Sequence, residues 1–97
     1  MYVILTSKPG QFTTEISEDL QPVESYDYLF CGRKRAHFVI ANLTRDVKIT
    51  IVDESSPPSV NHVPSKLLAK FETVEAARCE LKSLTHFGGM DIALVKC

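Results

Sequence analysis

Cys31, His37 and Asp27 are the side chains of this sequence whose types suit covalent chemistry. They supply a thiol, a base that can hold it as thiolate, and a carboxylate that can orient the base. Arg33 and Arg35 nearby would also favour a thiolate. Whether the three meet depends on two runs, Tyr26-Asp27-Tyr28-Leu29-Phe30-Cys31 and Ala36-His37-Phe38-Val39-Ile40-Ala41, which flank Gly32-Arg33-Lys34-Arg35 and read as a β-hairpin with a basic end. With a three-residue loop at Gly32-Arg33-Lys34, Leu29 faces His37, and Cys31 and Asp27 become its diagonal neighbours at about 7–8 Å between backbones. That spacing is loose for catalysis, and no tight elbow or helix N-terminus aims at the thiol.

The loop is chosen by the faces it produces. It pairs Phe30 with Ala36, Tyr28 with Phe38 and Tyr26 with Ile40, and all these side chains then share one apolar face. A two-residue loop at Gly32-Arg33 has better turn chemistry, because glycine suits the first central position of a type II′ turn, but it sets Phe30 against Arg35 and Asp27 against Phe38. Burying one large side chain is worth roughly 1.5–3 kcal/mol, against about 1 kcal/mol for an unsuitable turn residue. The opposite face carries Asp27, Leu29, Cys31, Arg35, His37 and Val39 and is mixed.

The basic end is the second candidate. Residues 1–30 carry Lys8 against Glu15, Glu18, Asp19, Glu24 and Asp27, a net −4, whereas residues 31–50 carry Arg33, Lys34, Arg35, Arg45 and Lys48 against Asp46, a net +4. An anion or a nucleic-acid strand is the ligand such a tip would take, with phosphates on Arg and Lys and bases on stacked rings. Lys34, Phe38 and Val39 fit the RNP1 pattern, but its glycine and two of its three aromatic positions are unmatched, and Tyr26, Tyr28 and Phe38 are needed for the core. For metal, Cys31, His37, His62 and His86 are acceptable ligands, yet no two stand at a ligand-pair spacing, so no metal site and no cofactor is expected.

The elements that must hold these residues follow from composition and pattern. Ninety-seven residues, 44% hydrophobic and 24% charged, make one ordinary globular domain, 1–97. The three cysteines, Cys31, Cys79 and Cys97, are odd in number and lack a Cys-x-x-Cys pair, which suits free thiols. With no membrane span and no signal peptide at Met1, the expectation is a cytoplasmic protein that is complete from its first residue.

Tyr2 to Ser7 reads as a strand, and the turn Lys8-Pro9-Gly10-Gln11 should return it as a hairpin through Phe12 to Ile16. Ser17 to Pro22 reads as a connection, and the second arm of the central hairpin ends near Leu43. Val47, Ile49 and Ile51 alternate as a half-buried strand, and Glu54 to Pro64 is the longest irregular segment, with Pro57 and Pro58 extended. Lys66 to Phe71 fits a strand or a helical turn. From Thr73 to Leu84 a helix is expected, capped by Thr73, stopped by Gly88-Gly89 and buried through Val74, Ala77, Leu81 and Leu84. Cys79 falls on the opposite side of that helix. Met90, Ile92 and Leu94 form a last strand.

The fold expected is α+β: a mostly antiparallel, curled or barrel-like sheet of about six strands with one C-terminal amphipathic helix packed on it. The function expected is that of a small non-enzymatic binding or accessory protein, acting through contacts with a protein partner or a second copy of itself. Its contact residues would be Arg33, Lys34, Arg35 and His37 at the hairpin end, Pro57 and Pro58 in the long connection, and Cys79 on the helix. Nucleic-acid or phosphate binding at the tip, and a cysteine-dependent enzyme using Cys31 and His37, are the alternatives.

Overall fold

The computed structural model describes residues 1–54, 57–85 and 92–97. Among the described residues seven strands form two antiparallel sheets, with one α-helix. The first sheet has the order β1 (Tyr2–Ser7), β4 (Arg33–Leu43), β3 (Leu20–Phe30), β7 (Ile92–Lys96), and the second has β2 (Phe12–Thr14), β5 (Lys48–Asp53), β6 (Ser59–Pro64). The α+β class with one packed helix is as expected. The sheet is neither single nor closed, so the curled or barrel-like picture gives way to layers.

The four-stranded sheet is the middle layer. Its odd-numbered β1 and β4 residues, Val3, Leu5, Val39, Ala41 and Leu43, pack with Leu20 against Ile49 of the second sheet, with Val47, Ile51 and Leu68 around them. Its other face sets Ile4, Tyr26, Tyr28, Ala36, Phe38 and Leu94 against Leu81 of α1 (Val74–Thr85). Burial on both faces explains why Val39, Ile40 and Ala41 form an unbroken buried run in β4 where a half-wet strand would alternate. The shortest molecular dimension, 21 Å between Cα atoms, is that of three layers about 10 Å apart.

The central hairpin turns at Cys31-Gly32, with φ of 51° and 77°, and its first pair is Phe30 with Arg33. Positive φ at both central residues is what a type I′ turn requires. Arg35 is then skipped as a bulge, and the ladder continues as Tyr28 with Ala36, Tyr26 with Phe38 and Glu24 with Ile40. The expected pairing at a Gly32-Arg33-Lys34 loop is therefore displaced by two residues on β3. Because side chains alternate with period two, that displacement leaves every face as expected. One extra residue lets the chain satisfy both the turn and the faces.

A second bulge at Val23 shifts the pairing between Pro22–Ala41 and Glu24–Ile40. It puts Leu20 on one side of the sheet and Glu24 on the other, although both are even-numbered. Ser17 to Pro22 is thus only partly a connection: Leu20, Gln21 and Pro22 already belong to β3. Pro22, which has no N–H to give, sits beside the bulge.

Three further expectations change. The turn at Lys8-Pro9-Gly10-Gln11 forms, with Gly10 at φ 75°, but β1 and β2 do not make a hairpin. Apart from the Lys8–Phe12 bridge, β1 pairs with β4 and β2 crosses to β5. The segment read as irregular contains β6, paired with β5 from Lys48–Pro64 to Asp53–Ser59. Its side chains are exposed except for half-buried Val63, so no apolar alternation marks it. Lys66 to Phe71 begins as a 3-10 turn over Ser65–Leu67 and ends with Phe71 bridged to Tyr2.

Thr73 caps α1 as expected, its Oγ1 accepting from the Ala76 N–H at 3.1 Å. The buried stripe runs Ala77, Leu81, Thr85, while Leu84 stands 57% exposed. The Gly88-Gly89 stop, Met90 and His86 lie outside the described residues.

Candidate functional site

Along the mixed face of the hairpin Val39 joins the core under the second sheet, while Asp27 and His37, nearer the tip, stay half-buried. There β3–β4 pairing sets Asp27 directly opposite His37. His37 Nδ1–H donates to Asp27 Oδ1 at 2.8 Å, and Lys34 Nζ lies 3.1 Å from the same oxygen. These contacts, His37 first and Lys34 second, hold the Asp27 carboxyl below its ordinary range. Asp27 and His37 are each 30% exposed, so the group is reachable from solvent.

Cys31 does not join them. It occupies the first turn position, exposed, four residues along β3 from Asp27, or roughly 13 Å at strand spacing. The expected diagonal contact with His37 is lost because the register moved by two residues. Cys97 takes its place. β7 pairs beside β3 with Val95 opposite Asp27, and the Cys97 N–H donates to the Ser25 carbonyl at 2.9 Å. The Cys97 sulfur, a His37 ring nitrogen and an Asp27 carboxylate oxygen all lie within 4.8 Å of one another. The thiol has only a weak 3.9 Å contact to the Val95 carbonyl. Sequence patterning put a last strand just before Cys97 but could not set that strand beside β3, because strand order is a tertiary property.

Next to this group, a cleft of about 300 Å³ opens between β4 and the β1–β2 turn. Lys34 and His37 bring its titratable groups, beside the hydroxyls of Ser7, Thr13 and Thr14, and Pro9, Phe12, Ile16 and Val39 are among its apolar lining.

The other expected contact residues are dispersed. Arg33, Lys34 and Arg35 are exposed at the hairpin end, and among the described residues neither Arg33 nor Arg35 meets an acid. The aromatic rings behind them are turned away: Phe38 is buried, and Tyr28 meets it edge-on at 6.3 Å in the helix-side core. Among the described residues, Tyr28 and Phe38 therefore offer no base-stacking surface beside the tip. Pro57 and Pro58 are exposed between β5 and β6, on the layer opposite the helix, while Cys79 is exposed on α1. These three surfaces do not merge.

Sequence reasoning missed a buried charge. Glu24, with 7% of its side chain exposed, accepts from Arg78 Nε at 2.6 Å, from Arg78 Nη2, from Tyr26 Oη at 2.8 Å and from Lys96 Nζ at 3.2 Å. The Arg78 hydrogen bonds, outweighing desolvation, lower its pKa to about 2, with Tyr26 and Lys96 adding to the effect. The group ties α1 to β3 and β7. It is fully paired, and that marks it as structural.

Among the described residues no helix is long and apolar enough to cross a membrane. Compared with known protein families, with curated proteins and with solved structures, the chain gives no significant match to any of the three.

Proposed function

We propose that this chain is a small non-enzymatic binding protein that acts through protein–protein contacts. The observation that carries this reading is Leu84, 57% exposed at the rim of a cleft of about 180 Å³ between α1 and β1. Ile4, Leu68 and Phe71 supply the apolar floor and Glu80 a polar edge. Leu67, 75% exposed, stands next in sequence to Leu68. Large apolar side chains around a concave site, rimmed by charge, are how an anchor residue of a partner is received.

The edge of β1 runs along the same cleft. Its outer backbone is taken at Tyr2 by Phe71, in both directions at 2.7 and 2.8 Å, and at the Thr6 carbonyl by Thr14 Oγ1. Only the stretch around Ile4 is left between these contacts, so side-chain anchoring supports binding here better than strand addition does.

The test is size-exclusion chromatography with light scattering on reduced protein at two concentrations, comparing wild type with Leu84→Glu, together with retention of lysate proteins by each immobilised form. The expected result is a dimer, or a partner retained in stoichiometric amount, that Leu84→Glu removes without altering the circular dichroism. A strict monomer that retains nothing, or retention equal in both forms, would overturn the reading.

A further inference from the structure

We propose that Asp27, His37 and Cys97 form a binding site for one divalent transition-metal ion of the zinc class, distinct from the apolar cleft beside Leu84. The sequence, read along its length, offers no ligand-pair spacing. The site arises because three adjacent strands bring the ligands together: Asp27 from the middle of β3, His37 opposite it on β4, and Cys97 just past β7 on the other side. Their ligand atoms lie within 4.8 Å of one another.

The donor set selects the ion. A thiolate, an imidazole and a carboxylate together suit zinc, and cobalt(II) as its spectroscopic substitute, better than magnesium or calcium, which take oxygen donors. Three protein ligands leave a fourth tetrahedral position for water. Bonds of about 2.0–2.3 Å place tetrahedral ligand atoms about 3.3–3.6 Å apart. His37 Nδ1 and Asp27 Oδ1 already stand 2.8 Å apart, and a thiol, a ring nitrogen and a carboxylate oxygen no more than 4.8 Å from one another have to close by no more than roughly 1.5 Å. Cys97 is exposed and only weakly hydrogen-bonded, so side-chain rotation supplies that movement.

The protons and charges balance. His37 binds as its neutral Nε2–H tautomer: the proton that Nδ1 shares with Asp27 leaves to solvent, Nε2 carries the ring's one proton, and the ion takes the freed Nδ1 lone pair. The Cys97 thiol releases one proton to solvent. Thiolate and carboxylate neutralise the ion's two positive charges. Lys34, which now holds Asp27, is displaced, and with 46% of its side chain exposed it can return to water. Binding therefore weakens as pH falls, because protons compete for the sulfur and the ring.

The experiment is a cobalt(II) titration of the protein kept reduced with a phosphine, read by the thiolate-to-cobalt charge-transfer absorption, followed by zinc displacement. Wild type should saturate at one equivalent. Cys97→Ser should lose the band, and His37→Ala should bind roughly ten-fold more weakly or worse. Cys31→Ser and Cys79→Ser should keep the band. Cys97 is a surface residue, and circular dichroism checks that its variant folds. As an independent readout, zinc should raise the Tm of wild type and not of Cys97→Ser. No band in wild type, a band that survives Cys97→Ser, or one lost equally in Cys31→Ser or Cys79→Ser would overturn the site.

Discussion

Cys31 holds a left-handed backbone, φ 51°, at the first position of the central turn, where a side chain with a Cβ is disfavoured. Asparagine tolerates that region because its short amide can bond locally, and Asn-Gly is the preferred pair for such a turn. Cys31→Asn should therefore stabilise the fold by about 0.5–1 kcal/mol, seen as a higher urea midpoint at unchanged m-value. A lower midpoint would show that the thiol makes a contact worth more than the backbone strain. The same residue illustrates what was legible at this scale. Asp27 and His37 do meet, but the cysteine beside them is Cys97 and not Cys31, because a β-bulge at Arg35 moves the tip away from His37.

The helix is held by more than its stripe. Ala77 and Leu81 were readable from spacing, and Thr73 from its place before them, whereas Val74 is only half-buried and Leu84, expected at the end of the stripe, is exposed while Thr85 is buried there. The Arg78–Glu24 pair was not, since it joins residues 54 apart in sequence and Glu24 faces the helix only because of the Val23 bulge. Its consequence is an acid dependence. The folded pKa of Glu24 lies at about 2, below the ordinary 4.5. A depressed carboxyl contributes stability that is complete above its unfolded value and is lost as pH falls through its folded value. Stability should decline between pH 4.5 and 2 in wild type. Glu24→Gln should lower Tm by several degrees at neutral pH and show a shallower decline in that window. Parallel pH profiles for the two proteins would remove Glu24 as the cause.

At the scale of the whole molecule, the four-stranded sheet is shared by two cores, so neither outer layer can be lost without exposing it. Leu81→Ala on the helix side should cost about 2–5 kcal/mol, the range for a buried leucine whose cavity does not collapse. Both near- and far-ultraviolet circular dichroism should still report one coincident transition. A helix signal that melts ahead of the sheet signal would show that the outer layer is an independent unit.

Much of this architecture was present in local pattern. The strand-forming runs of β1, β3, β4 and β5, the cap and most of the stripe of α1, and the shared face of Tyr26, Tyr28, Ala36, Phe38 and Ile40 follow from side-chain preference, steric alternation and burial, which act over a few residues. Register shifts of two leave those faces unchanged, which is why the faces were right although the pairing was not. Tertiary structure alone decided which strands became neighbours. It separated β2 from β1 although a turn joins them, and it made a strand of Ser59–Pro64 through backbone hydrogen bonds to β5, with almost no help from side chains. It also set β7 beside β3, and with that brought Cys97 to Asp27 and His37. Such choices depend on closing two cores at once around one sheet, a condition that no short window of sequence contains.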